Sequence, residues 1–157
     1  MARESWDQRF IELANHIAGW SKDRSRKVGC IIVGPHREIR ATGYNGFPRG
    51  IDDDVDARHE RPAKYQWTEH AERNAIYNAA RVGVSLDGST IYLPWYPCVE
   101  CARAIIQAGI AAVVCVAPDW DDAKYGSDFS VVEEMFHEVG MSVRFVDGFA
   151  APLQGGC

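Results

Sequence analysis

What the sequence lacks narrows its class before any motif is read. No apolar run approaches the ~20 residues that carry a helix across a bilayer, so a helical membrane span is excluded. The opening Met1-Ala2-Arg3-Glu4-Ser5-Trp6 has no apolar core of the signal-peptide kind, and the expected location is the cytoplasm. A basic face is missing too. The net charge is −5 and the pI about 5.5, whereas chains that grip polymeric nucleic acid neutralise its phosphates with a positive surface. Basic residues gather only in Ser21–Lys27, enough for one small phosphate but not for a polymer. There is no internal repeat, low-complexity tract or linker, so residues 1–157 are expected to form one domain with a loose tail over 148–157. Nor is there an even set of cysteines. Five occur, two of them as Cys-x-x-Cys, a spacing that in a cytosolic chain points to metal or redox chemistry before disulfides.

What is present has the rhythm of an α/β protein. Phe10, Ile11, Leu13, Ala14, Ile17 and Ala18 recur at helical spacing and predict an amphipathic helix over 7–20. Val28 to Val33 reads as a strand, Gly34-Pro35-His36 as a turn, and Glu38 to Gly43 as the antiparallel partner. A polar stretch over 44–66 reads as a long loop, of a length that usually serves function. Helices are predicted at Glu69–Arg81, from Pro97 to about Ala108, and at Phe129–Val139. Strands are predicted at Thr90–Leu93, Ala111–Val116 and Ser142–Val146; the continuous apolar run of the second suits a buried parallel strand. The order α-β-β-α-β-α-β-α-β predicts a central mixed five-stranded sheet covered by helices on both faces, a three-layer α/β/α fold.

Two segments carry chemistry: His70-Ala71-Glu72 and Pro97-Cys98-Val99-Glu100-Cys101. Both fall at predicted helix starts, where free N–H groups and the helix dipole favour thiolates and other anions. Cys98 and Cys101, three apart, put both sulfurs on one face, and His70 supplies a third donor. Two thiolates and an imidazole suit Zn2+. Three protein ligands leave a fourth position for water, the mark of a catalytic zinc. Glu72, two residues beyond His70, is placed to carry protons as base and then acid. His-x-Glu upstream of Pro-Cys-x-x-Cys is an established pattern of zinc deaminases. A structural zinc knuckle would instead need a fourth protein ligand, from Cys30, Cys115, His16 or His59, and a redox pair would not need His-Ala-Glu. Cys30 and Cys115 sit in apolar strands and read as core.

His70-Ala71-Glu72-Arg73-Asn74-Ala75-Ile76 and Pro97-Cys98-Val99-Glu100-Cys101-Ala102 resemble the deoxycytidylate (dCMP) deaminase family. So do Gly43-Tyr44-Asn45-Gly46-Phe47-Pro48-Arg49-Gly50 and Ile105-Ile106-Gln107-Ala108-Gly109-Ile110, and the likeness runs from about Phe10 to Phe145. The resemblance implies a cytidine-deaminase-like fold, one Zn2+ per subunit, and hydrolysis of dCMP to dUMP and ammonia, feeding thymidylate synthesis. It implies that Asn45 binds the deoxyribose and that the Ala71 N–H meets the pyrimidine O2. Trp120 falls where the family carries an aromatic against the base, and reads equally as a core-edge aromatic. Arg49, Lys64, Lys22, Arg24 and Arg26 are candidate phosphate ligands, with Tyr65 beside them. Homo-oligomers, hexamers included, and control by dCTP and dTTP also follow from the family, the nucleotide bringing Mg2+ with it. The loop of Gly43, Tyr44, Gly46, Phe47, Pro48 and Gly50 resembles the segment that serves this control, and reads otherwise as a lid. Residues 51–66 depart from the family pattern, with Asp52-Asp53-Asp54 and no added cysteine, so a second structural zinc is not expected. A deaminase of another base, nucleoside or modified nucleotide would share the same metal and glutamate. A tRNA adenosine deaminase is disfavoured by the acidic pI and by Glu100 inside the cysteine pair. A zinc-stabilised module without activity predicts a fourth protein ligand.

Overall fold

In the computed structural model, which describes residues 5–146, the chain begins with a capped helix. Ser5 Oγ accepts a hydrogen bond from the Gln8 N–H at 3.1 Å and starts α1, Trp6–Ala18. Phe10, Ile11, Ala14, Ile17 and Ala18 form its buried face. The helix stops two residues short of the predicted end because Gly19 caps it, and Trp20 beyond is 57% exposed. The strands β1 (Gly29–Val33) and β2 (Ile39–Tyr44) form the expected hairpin. Then come β3 (Thr90–Leu93), β4 (Ala112–Cys115) and β5 (Ser142–Phe145), giving the order β2-β1-β3-β4-β5. β1 is antiparallel to both its neighbours, while β3, β4 and β5 run parallel. The mixed five-stranded sheet predicted from the sequence is therefore present, and β4 is buried throughout as its apolar run required.

Alternation along the strands divides the core in two. Ile31 and Val33, Tyr92 and Val114 face α1. Cys30 and Ile32, Ile91 and Leu93, Val113 and Cys115 face the opposite side. There they meet Ala71, Ala75, Ala102, Ile105, Val132 and Phe136 of the remaining long helices: α4 (Ala71–Val82), α5 (Val99–Gln107) and α6 (Gly126–Glu138). The last begins three residues before its predicted start. Two glycines set how closely helices lie on the sheet. A Cβ on Gly29 would stand 2.0 Å from the Ala14 carbonyl oxygen, and one on Gly43 would stand 2.3 Å from that of Ala71. Asp7 ties α1 to the sheet, accepting from the Tyr92 hydroxyl at 2.9 Å and from Arg144 of β5 through two N–H groups at 3.0 Å.

The stretch 44–66 is not one long loop. It holds two short helices, α2 (Asp56–His59) and α3 (Lys64–Trp67), which periodicity cannot reveal at four residues each. Their polar composition is used in ion pairs. Lys64 Nζ lies 3.0 Å from Asp23, the two side chains being only 8% and 6% exposed, while Lys22 pairs with Asp53 and Arg24 with Asp56. No helix among the described residues is long and apolar enough to cross a membrane. The tail expected to be loose, with Cys157, lies outside the described residues.

Burial raises the Asp23 carboxyl, but the N–H groups of Arg26 and Ser25 and the Lys64 ammonium outweigh this and hold it below its ordinary value. A carboxyl held low binds fewer protons folded than unfolded. Its contribution is complete above the ordinary value, about 3.9, and is lost as the pH falls through the depressed one. Asp23→Asn, which strands the Lys64 ammonium, is expected to cost about 3–5 kcal/mol of unfolding free energy at neutral pH. In urea titrations the gap to the parent chain narrows as the pH drops below about 4.

Candidate active site

The carboxyl ends of β2, β3 and β4 share one edge of the sheet, since β2 and β3 both run against β1 and β4 runs with β3. Ligands of open α/β sheets bind outside such an edge. Here α4 and α5 begin. His70 is the N-cap residue of α4 and Cys98 that of α5, and neither caps through its side chain, so both side chains are free to converge. Gly46 and Glu69 exchange backbone hydrogen bonds at 3.1 and 2.8 Å, fixing the approach to His70. Asn74 and Asn78 of α4 donate to the carbonyls of Tyr44 and Thr42. The loop from Gly43 to Gly50 is thus stitched to the helix that carries His70.

His70 Nδ1 lies 3.5 Å from the sulfur of Cys98 and 3.5 Å from that of Cys101. Zinc bonds of about 2.3 Å to sulfur and about 2.0 Å to nitrogen, at a tetrahedral angle, place such atoms roughly 3.5 Å apart. The three donors are therefore spaced as a zinc ion requires. They form the only group of three or more potential metal ligands among the described residues, and none of those residues joins them as a fourth ligand. Cys30 and Cys115 are buried in β1 and β4, His59 stacks on Phe47, and His16 packs edge-on against Trp20. The inactive knuckle loses its required ligand. No matching group of acidic side chains supports Mg2+ among the same residues.

The electrostatics of the three donors favour a dication. Cys98 ionises first, its thiolate stabilised by the Cys101 thiol and by His70. That thiolate in turn opposes ionisation of Cys101, and raises the pKa of His70 against the lowering effect of burial. Three groups that resist being deprotonated together become compatible around a doubly positive ion, and loading releases protons. Glu72, in the first turn of α4, is 5% exposed. Burial lifts its carboxyl above the ordinary value, opposed by His70. A carboxyl poised higher than usual beside a metal site is suited to accept and return a proton.

Arg73 is the residue that sequence reasoning passed over. Its guanidinium binds Glu69 on one side and Glu100 of α5 on the other, clamping together the two helices that bring the ligands. The Glu69–Arg73 spacing of i, i+4 was a usable signal; the cross-helix bond to Glu100 was not visible. The other predicted residues scatter around the same edge. Asn45 is buried, accepting from the Val28 N–H at 2.8 Å and donating to the Arg26 carbonyl at 2.9 Å. Ala71 supplies a first-turn N–H at the start of α4. Trp120 follows β4, 39% exposed and edge-on to Tyr96 at 5.5 Å. Lys64 is buried against Asp23, Arg49 binds Asn78, and Tyr65 lies exposed on α3. Pro48 turns the chain through the Ile51 N–H, and Gly50 follows at φ +83°.

Fold and donor set together are those of the zinc deaminases. Residues 4–117 match the cytidine and deoxycytidylate deaminase zinc-binding region, and the chain belongs to that family of hydrolytic deaminases. It is 39% identical over 142 residues to the uncharacterized deaminase in the luxG 3′ region of Aliivibrio fischeri, covering 90% of this chain and 93% of that one. It is 35% identical over 144 residues to deoxycytidylate deaminase of Homo sapiens, covering 88% and 78%. The apo crystal structure of dCMP deaminase from the cyanophage S-TIM5 superposes with a TM-score of 0.70 at 26% identity, over 92% of this chain and all of that one.

Because Gly43 touches the first turns of α4, Gly43→Ala is expected to displace the helix bearing His70 and Glu72. The overpacking should cost about 1–3 kcal/mol, read as a lowered denaturation midpoint, with a weaker affinity for zinc in chelator competition.

Proposed function

We propose that this chain hydrolyses dCMP to dUMP and ammonia, so supplying the precursor of thymidylate synthesis. The observation that carries the reaction class is the buried carboxyl of Glu72 beside the His70, Cys98 and Cys101 donors. The substrate is supported by relatives that bear the name deoxycytidylate deaminase. One zinc per chain, held by those three side chains, supplies a Lewis acid that brings a water molecule's pKa to about 7.

The chain's own residues do the rest. Glu72 takes the proton from the attacking water and delivers it to the ring nitrogen next to C4. Water oxygen joins C4 as a hydroxyl; Glu72 then carries that hydroxyl's remaining proton to the amino group, and the C4–N bond breaks as C4=O forms, releasing ammonia. The Ala71 N–H is placed to hold the pyrimidine O2. Asn45, anchored by its two backbone bonds, keeps a lone pair and an N–H for the sugar hydroxyl. Trp120, standing on Tyr96, closes over the base.

Control by dCTP and dTTP and assembly into a hexamer come with the family resemblance. A pocket of about 110 Å³ between Trp20, Lys22, Tyr44, Phe47 and His59 supports the regulatory part, since it lies on the Gly43–Gly50 loop and outside the metal donors.

Ammonia release on dCMP and on deoxycytidine, each with and without dCTP, tests the reading. Turnover favouring dCMP is expected; no turnover of either by protein with zinc bound would discard the substrate. Glu72→Gln should keep zinc by elemental analysis while lowering kcat by roughly 10²–10⁴-fold.

A further inference from the structure

Two helices that start at one point oppose each other electrically. α4 and α5 bring the positive ends of their dipoles together at His70 and Cys98, whose side chains approach to 3.5 Å. Carboxylates offset this: Glu69 stands just ahead of α4, and Glu72 and Glu100 lie in the first turns of α4 and α5. Carboxylates on neighbouring helices repel in their turn, and Arg73 is the cation set between two of them.

The Arg73 guanidinium is used on both sides. Its Nε and Nη2 groups meet Glu69 Oε1 at 2.5 Å, and Nη1 meets Glu100 Oε2 at 2.6 Å. The same Glu69 oxygen accepts the backbone N–H of His70 at 3.0 Å. Each carboxylate is one residue away from a metal donor, Glu69 from His70 and Glu100 from Cys101. Burial opposes the charge on Arg73, but Glu100, Cys101 and Glu69 outweigh it and keep the guanidinium charged. For the fold alone such a bridge is worth little, since the Glu100 side chain is 60% exposed and ion pairs at that exposure add little stability. For a metal site it is worth more. Zinc needs its donors at bond lengths fixed to within about 0.2 Å, and here the imidazole and the thiolates come from different helices.

We propose that Arg73 is a positioning residue for the metal: bridging Glu69 and Glu100, it holds the two helix starts in register and so sets how tightly the chain retains zinc. This rests on the metal reading of His70, Cys98 and Cys101, not on the identity of the substrate.

The test is competition for zinc between a chromophoric chelator and the zinc-loaded chain. It compares the parent with Arg73→Met, Arg73→Lys, Glu100→Gln, the double variant Arg73→Met/Glu100→Gln, and Arg144→Met. The last removes the ion pair between β5 and Asp7 of α1, and controls for loss of an ion pair as such. Arg73→Met should weaken zinc binding by about 10- to 100-fold, as loss of an outer-shell partner does. Glu100→Gln should show part of this loss and add little in the double variant, since both changes cut one bridge. Arg73→Lys should lie between the parent and Arg73→Met, and Arg144→Met should keep the parent's affinity. In cobalt-loaded protein the visible absorption, which reports donor geometry, should change in Arg73→Met and return toward the parent in Arg73→Lys. Unchanged zinc affinity in Arg73→Met, fully additive losses in the double variant, or an equal loss in Arg144→Met would each overturn the proposal and leave the deaminase reading standing. If Arg73→Met does not fold, the exposed Glu100 carries the test, and full parent affinity in Glu100→Gln overturns the proposal. A parent chain that binds no zinc would overturn it together with the metal reading. Zinc binding that depends on Arg73 in a chain without dCMP turnover upholds it and discards only the substrate.

Discussion

A carboxyl group buried beside two cysteines and a histidine is expensive to hold in that place, and the rest of the site can be understood as the means of holding it there. Glu72 loses most of its hydration, and desolvation lifts its carboxyl above the ordinary value. Its charge becomes affordable only next to positive charge, which His70 supplies and which a metal would supply more strongly. The site therefore needs its ligands and its glutamate within one helical turn of each other. His70 and Glu72 meet that need by flanking Ala71, so the helix start fixes their separation without any tertiary contact.

Tertiary contacts are needed for the second half, because the thiolates come from another helix. That demand explains why α4 lies so near the sheet. Gly43 allows the approach, Asn74 and Asn78 hydrogen-bond the β2 backbone, and Gly46 pairs with Glu69 just ahead of the ligand histidine. Arg73 then fixes α4 to α5 through Glu100, in the same turn that presents Cys98 and Cys101. Neither helix start is capped by the side chain at its N-cap position, because His70 and Cys98 turn theirs toward one another instead.

Much of this was legible in the sequence, for reasons that can be named. The metal donors and Glu72 lie in short local patterns, and local patterns survive the absence of coordinates. The sheet was legible because β1 and β4 are apolar along their whole length and because a short turn joins β1 to β2. The stretch 44–66 was not legible. Its helices are too short to show a period, and their positions depend on ion pairs from the Ser21–Lys27 loop, whose partners lie roughly thirty to forty residues away. Gly43 shows a related limit. Its motif suggested a nucleotide loop, whereas its missing side chain is required by the carbonyl of Ala71.

The same long-range ion pairs decide where this acidic chain keeps positive charge that no carboxylate has neutralised. With a net charge of −5, the surface as a whole does not attract a phosphate. Attraction must be local, and a local cation helps only if no carboxylate has already neutralised it. In the loop before β1, Asp23 occupies Lys64, Asp53 occupies Lys22 and Asp56 occupies Arg24. Each pair anchors the loop while removing one cation from competition. Asp23 further accepts from the N–H groups of Ser25 and Arg26, so the pairing that withdraws Lys64 also shapes the turn that presents Arg26. Ion pairing in this loop thus has two effects: it fastens a polar segment to residues 53–64, and it leaves Arg26 and Lys27 as the loop's cations outside these pairs.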